Sequence, residues 1–133
     1  MPLLVIVADD NEDTCELLGL WLINIGFQHA GLDVRQCTNG LQVESLVRAR
    51  PQDVALLITD LTMPGRTGFE LIPLVRAQAP QASIVIFSGE DSNGTHNLRE
   101  LGAEGVFHKP EATGALKSFL RDWLVKFVQR SSV

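Results

Sequence analysis

Long apolar runs, cysteine pairs and an excess of positive charge are all missing from this 133-residue chain, and each absence excludes a class of protein. No apolar run approaches the roughly 20 residues that a membrane-spanning helix needs. The first apolar stretch, Leu3 to Ala8, has no basic lead-in and runs straight into Asp9 and Asp10, so no secretory leader is expected. With only two cysteines, Cys15 and Cys37, there is no disulfide framework. A cytoplasmic protein with reduced thiols is the simplest expectation, both cysteines serving as small packing residues. A net charge of −5 argues against bulk nucleic-acid binding. The three histidines, His29, His96 and His108, are scattered without metal-ligand spacing. Asp9-Asp10-Asn11 stands where a dinucleotide-binding module would place its glycines, and no phosphate-binding P-loop follows.

What is present suits one domain with a real core: 45% hydrophobic and 20% charged residues, without repeats, low-complexity segments or a linker. Residues 1–133 are expected to form that single domain. Short apolar runs alternate with segments of helical period. Leu3–Ala8 reads as a buried strand, Val54–Thr59 and Ser83–Phe87 as further strands, Gly105–His108 as a short one and Val34–Thr38 as a weaker one. The first helix carries Leu18, Trp21, Leu22 and Ile25 on one face and stops at Gly26. Leu41–Arg50, Phe69–Ala79, Asp91–Leu101 and Ala112–Arg130 follow as helices. Pro73 is expected to kink the third, and Ser92, Asn93 and Gly94 weaken the start of the fourth. The fifth has the strongest stripe: Leu116, Phe119, Leu120, Trp123, Leu124 and Phe127. Trp21 and Trp123 are expected at core or half-buried helix positions, with Trp123 a candidate anchor for a partner. Five strands alternating with five helices predict a doubly wound parallel sheet, whose ligand site lies beyond the carboxyl ends of the strands.

Those ends carry the chemistry. The first strand ends in Asp9-Asp10, the third in Asp60, the fourth in Ser88-Gly89 and the fifth in His108-Lys109-Pro110. Singly, each has an ordinary reading: an acid after a strand caps a helix, a serine makes a turn, a lysine is solvated. Jointly they converge on one edge. Three carboxylates there repel one another unless a cation or protons intervene, and Mg²⁺ is the hard cation that takes few carboxylates and keeps waters. An Asp oxygen is a competent nucleophile toward phosphorus. Lys109 and Ser88 add a mobile positive charge and a hydroxyl donor for phosphate oxygens.

The chain resembles the receiver domains of two-component response regulators from roughly Leu4 to Phe127. The resemblance rests on V-A-D-D-N at 7–11, D-L-T-M-P-G at 60–65 with Gly68, F-S-G at 87–89 and F-H-K-P at 107–110. It implies the flavodoxin-like (βα)5 fold with strand order 2-1-3-4-5. It implies that Asp60 is the phosphoacceptor and that Mg²⁺ is bound by Asp10 and Asp60, by Asp9 largely through water, and by the backbone carbonyl of Thr62. It further implies that Ser88 closes on the phosphate, Lys109 pairs with it, Phe107 is the switching aromatic and Pro110 follows a cis peptide. The implied protein accepts a phosphoryl group from a sensor histidine kinase or histidine phosphotransfer protein and signals to an effector protein or domain. It is not a conventional enzyme, although it catalyses its own aspartyl phosphorylation and dephosphorylation. Direct nucleic-acid or membrane binding by this domain is not expected. The chain is either a single-domain regulator or a receiver belonging to a larger protein, and either a monomer or a phosphorylation-dependent homodimer.

Four places depart from the family pattern. Thr62 stands where a larger apolar residue is frequent, and Glu90 where a small one is; both are expected to tune phosphoryl lifetime. The Gly26–Asp33 link is long, and Glu-Ala-Thr-Gly at 111–114 is a loose start for the last helix. A haloacid-dehalogenase-type phosphatase would need a second Asp where Thr62 stands. A receiver-fold module acting independently of phosphorylation is the remaining alternative, and the intact set of Asp9, Asp10, Asp60, Ser88 and Lys109 argues against it.

Overall fold

Local signals set the elements and tertiary burial sets their ends. In the computed structural model, which describes residues 2–89 and 95–131 (of 95, 96 and 131 the backbone only), β1 is Leu4–Ala8, α1 Glu12–Ile25, β2 Asp33–Cys37, α2 Gly40–Ala49 and β3 Val54–Thr59. Then come α3 Gly68–Gln78, β4 Ser83–Ser88, α4 Thr95–Leu101, β5 Gly105–His108 and α5 Thr113–Ser131. Side chains cap the helix starts: Asn11 accepts from Thr14 N–H, Asn39 from Gln42 N–H, and Thr67 with Glu70 forms a capping box. Gly26 ends α1 in the left-handed region (φ 117°), which a residue without Cβ adopts freely.

All strand pairs are parallel, in the order β2-β1-β3-β4-β5. The register sets Ala8 beside both Cys37 and Thr59, and Ser88 beside His108, so the acid-bearing strand ends share one edge. Alternate β1 residues feed opposite faces, as strand geometry demands. Leu4 and Ile6 join Val43, Val47, Leu71, Ile72 and Val75 of α2 and α3. Val5 and Val7 join Cys15, Leu18 and Leu22 of α1 and Leu116, Leu120 and Leu124 of α5. Two cores thus clamp one sheet.

The differences from the sequence reading are local. β2 is an edge strand with Arg35 and Gln36 exposed, which is why its pattern is weak, and it starts at Asp33. β4 runs one residue further, to Ser88. α3 starts one residue earlier than expected, at Gly68, and contains Pro73; it continues to Gln78 with Leu71, Ile72 and Val75 buried. The fourth helix is seen from Thr95; Ser92, Asn93 and Gly94 lie outside the described residues. Both tryptophans are half-buried as expected, Trp123 stacked between Phe27 and Phe127 with its indole N–H on Ser83 Oγ at 2.9 Å. Among the described residues no helix is long and apolar enough to cross a membrane.

Both cysteines are free and buried. Burial pushes the Cys37 thiol up to about 11 from its ordinary 9.0, with Cys15 adding to the shift. The folded state therefore holds the proton that the unfolded chain releases, and the resulting stability is full below pH 9 and lost as pH rises from 9 to about 11. The loss should be on the order of 2 kcal/mol. Urea midpoints at either end of that window would show it, and Cys37→Ala should fall less steeply. Equal slopes for both proteins would remove Cys37 as the cause.

Candidate functional site

Asp9 follows β1 directly and is 2% exposed, yet every part of it is engaged. Its N–H donates to Cys37 O (3.1 Å), and its Oδ1 accepts from Asn11 N–H (2.9 Å). Its Oδ2 accepts from Lys109 Nζ (2.5 Å), and its carbonyl accepts from Cys15 Sγ (3.2 Å). Asp10, next in the chain, is exposed. Asp60 follows β3. Its N–H donates to Ala8 O (2.9 Å), which ties the two acid-bearing strand ends together. Asp60 Oδ1 accepts from Leu61 N–H (2.7 Å), and Oδ2 from Lys109 Nζ (3.3 Å). One carboxylate oxygen from each of Asp9, Asp10 and Asp60 lies within 4.8 Å of the others.

Lys109 reaches this cluster from β5. Its peptide to Pro110 is cis, as expected, and its N–H donates to Ser88 O (2.8 Å), which fastens the end of β5 to the end of β4. Its Nζ also stands 5.3 Å from the centre of the Phe87 ring, within cation–π range. Ser88 is buried at the end of β4, on the same edge. Thr62 is exposed, its N–H at the outer limit of bonding to Asp60 Oδ1 (3.5 Å). Phe107 is half-buried, edge-on to Phe119 with ring centres 5.6 Å apart. Glu90 lies outside the described residues. His108 pairs with Glu111 (Nδ1–Oε2 2.7 Å).

The structure therefore gathers Asp9, Asp10, Asp60 and Lys109 into one contact group and sets Ser88 beside it. Charge arithmetic then decides what fits. Three carboxylates against one ammonium leave two negative charges. Burial pushes the Asp9 carboxyl above its ordinary value, more than the Lys109 and Asn11 hydrogen bonds pull it down. Burial also disfavours the Lys109 ammonium, but the Asp9 hydrogen bond and the charges of Asp60 and Asp9 outweigh it and hold the lysine firmly charged. An all-oxygen donor set with residual negative charge fits a hard divalent cation.

Three participants escaped the sequence reading. Cys15 was expected only to pack, yet its thiol holds the Asp9 carbonyl. Phe87 lies under the Lys109 ammonium. Asn11 caps α1 and also donates its N–H to Asp9. Only Asn11 left a signal, as a capping residue directly before a helix.

This combination defines a class: a doubly wound α/β domain with three clustered carboxylates and a lysine at the carboxyl edge of its sheet. The chain matches the response regulator receiver domain family over residues 5–121, and it belongs to that family of two-component systems. It is 28% identical over 122 residues to the autoinducer 1 sensor kinase/phosphatase LuxN of Vibrio campbellii, covering 92% of this chain and 14% of that protein. It is 36% identical over 98 residues to the sensor protein EvgS of Escherichia coli K12, covering 74% of this chain and 7% of that protein. Thus the chain spans only a small part of these relatives. In structure it is similar to the N-terminal domain of a Wolinella succinogenes protein (TM-score 0.79, 22% identity, 96% of this chain and 98% of that one). It is also similar in fold to the signal receiver domain of a DNA-binding response regulator from Colwellia psychrerythraea (TM-score 0.77, 20% identity, covering 93% of this chain and 98% of that one).

Proposed function

We propose that this chain is a phosphorylation switch in which Asp60 accepts a phosphoryl group from a sensor histidine kinase or histidine phosphotransfer protein. The observation that carries the reading is the group of three carboxylates within 4.8 Å of one another, with Lys109 bonded to two of them. Asp9, Asp10, Asp60 and the Thr62 carbonyl would hold Mg²⁺, which supplies charge neutralisation for the transferring phosphoryl group. An oxygen of the Asp60 carboxylate attacks phosphorus, the P–N bond to the donor imidazole breaks, and the imidazole leaves and takes up a proton. Lys109 offsets the charge added at Asp60, and Ser88 offers its hydroxyl to a phosphoryl oxygen. Thr62 and Glu90 set how long the acyl phosphate survives hydrolysis.

A ligand shifts a conformational equilibrium only through its different affinity for the two states. Ser88, buried beside His108 of β5, is the group a new phosphoryl acceptor would draw, and Phe107 the neighbouring aromatic that can repack. Output through the α4, β5 and α5 face to an effector follows, with a phosphorylation-dependent homodimer as one form of it. The domain boundary, residues 1–133, and the cytoplasm as its compartment belong to the same reading.

Mg²⁺ binding tests it. Amide shifts of residues around Asp10 and Asp60 should move on titration, with modest affinity because the ion keeps waters. In Asp10→Asn the response should weaken by at least about tenfold, the scale of one lost charged ligand. With beryllofluoride added, further shifts should spread to Ser88 and Phe107. Wild-type affinity in Asp10→Asn would place the ion elsewhere.

A further inference from the structure

We infer that Glu44, on α2 and outside the acid cluster, is a positioning residue that fixes the 60–67 loop through Arg66 and thereby sets the affinity of the site for its divalent cation. This rests on the metal reading above.

The loop carries Asp60 at its start and Thr62 two residues on. Its first half is anchored in the core: Leu61 and Met63 are buried, Thr59 Oγ1 donates to Met63 Sδ (3.9 Å), and Gly68 N–H donates to Leu61 O (2.8 Å). Its second half has no such burial and leans on α2. Gly40 N–H donates to Pro64 O (3.0 Å). The backbones touch there, since a Cβ on Gly40 would lie 2.1 Å from Arg66 O. The side-chain part of this junction is one charged network. Arg66 Nε donates to Glu44 Oε1 (2.8 Å) and its Nη1 to Glu70 Oε2 (3.2 Å), while Arg48 Nε donates to Glu44 Oε2 (2.9 Å).

Glu44 is the centre of that network. Both its oxygens are bonded, its side chain is 16% exposed, and the Arg66 and Arg48 guanidinium groups hold its carboxyl below the ordinary range. Arg66 is bound at two points, by Glu44 from α2 and by Glu70 from the first turn of α3. A carboxylate or carbonyl oxygen contributes to cation binding only in the geometry its loop holds, and a loosened loop pays ordering entropy when the ion binds. Removing the Glu44 charge leaves every acid of the cluster in place and takes from Arg66 the shorter of its two carboxylate bonds, the one that ties the loop to α2 through side chains. The cation affinity should fall while the rate at saturating cation stays the same.

A surface ion pair that merely adds stability makes a different prediction, and Arg48 separates the two. It bonds the same carboxylate at nearly the same distance, and among the described residues it makes no hydrogen bond or ion pair to the loop. The test uses the full chain as wild type, Glu44→Gln, Arg66→Gln, the double variant and Arg48→Gln. Mg²⁺ is titrated with amide shifts as the readout, and the rate of phosphorylation by acetyl phosphate is measured at saturating Mg²⁺. The half-saturating Mg²⁺ concentration should rise about three- to fivefold in Glu44→Gln and in Arg66→Gln, the scale of a partly exposed charge pair. The double variant should be no worse than either single one, because the pair acts as a unit. Arg48→Gln should titrate like wild type, and all five should share one saturating rate. A Glu44→Gln titration equal to wild type, or an equal weakening in Arg48→Gln, overturns the inference while leaving the metal site standing. Absence of Mg²⁺ binding in the wild type would overturn both.

Discussion

Asp60→Asn should take up no phosphate from acetyl phosphate and Mg²⁺, while the wild type gains one phosphoryl group per chain by intact mass. The substitution keeps the shape and most bonds. An Asn Oδ1 still accepts from Leu61 N–H, and Lys109 keeps its shorter bond to Asp9. What disappears is the nucleophilic carboxylate oxygen, since a neutral amide does not attack phosphorus at a useful rate. Loss of a nucleophile costs at least about 10³-fold. The neighbouring acids do not substitute for it. Both Asp9 oxygens are already bonded, to Asn11 and Lys109, and Asp9 is buried. Asp10 is exposed but sits on the α1 side of the cluster, ahead of the Asn11 cap. Equal uptake by the variant and the wild type would sink the assignment of Asp60.

Lys109→Met should lose in two measurements at once. The methionine keeps an apolar stem beside Phe87 but removes the ammonium bonded to Asp9 and Asp60. Breaking a buried pair by removing one partner costs about 3–5 kcal/mol, and the 23% exposure of Lys109 puts this case at the lower end or below. The loss should shrink as the solution is made acidic. Asp9 has a folded-state value above its ordinary 3.8, so its protonation favours the fold: the relative stabilisation is present below 3.8 and lost as pH rises through the folded value. Protonating Asp9 removes the charge that Lys109 neutralises, so the two proteins should converge there. Mg²⁺ should narrow the gap at neutral pH for the same reason. The phosphorylation rate should fall about 10²-fold or more, as for removal of a preorganised donor at developing charge. Urea midpoints at neutral and acid pH, with and without Mg²⁺, together with uptake rates, would check this. An unchanged midpoint and an unchanged rate would mean that Lys109 is a solvated charge.

The parts of the fold that could be read in advance are those whose cause is local. Val54–Thr59 and Gly105–His108 are strands with the boundaries their apolar runs suggest, and Gly26 stops α1 because a left-handed residue is needed there. The acids and the lysine were legible because each stands directly after a strand, and strand ends in a parallel sheet share an edge. Other features depend on tertiary register and leave no periodic trace. Glu44 and Arg66 meet across 22 residues, and Phe87 comes under Lys109 only after β4 and β5 have paired. The start of β2 was blurred because an edge strand buries only part of its surface. Pro73 lies inside α3, whose buried face of Leu71, Ile72 and Val75 carries the helix on to Gln78. The cis peptide before Pro110 followed from the family resemblance, not from any property of the residues around it.

Ala8 and Thr59 are register partners on adjacent strands although α1, β2 and α2 are threaded between them. A divalent cation held by Asp9, Asp10 and Asp60, as proposed above, would bridge the two sides of that crossover and work as a latch on the closed sheet. Such a latch has no grip until both strands are home. In kinetic terms it belongs to the native side of the folding barrier, so it slows escape from the native state and leaves the rate of folding nearly untouched. The lifetime of each folded molecule, and with it resistance to proteases that strike during global opening, would then rise and fall with the concentration of free metal.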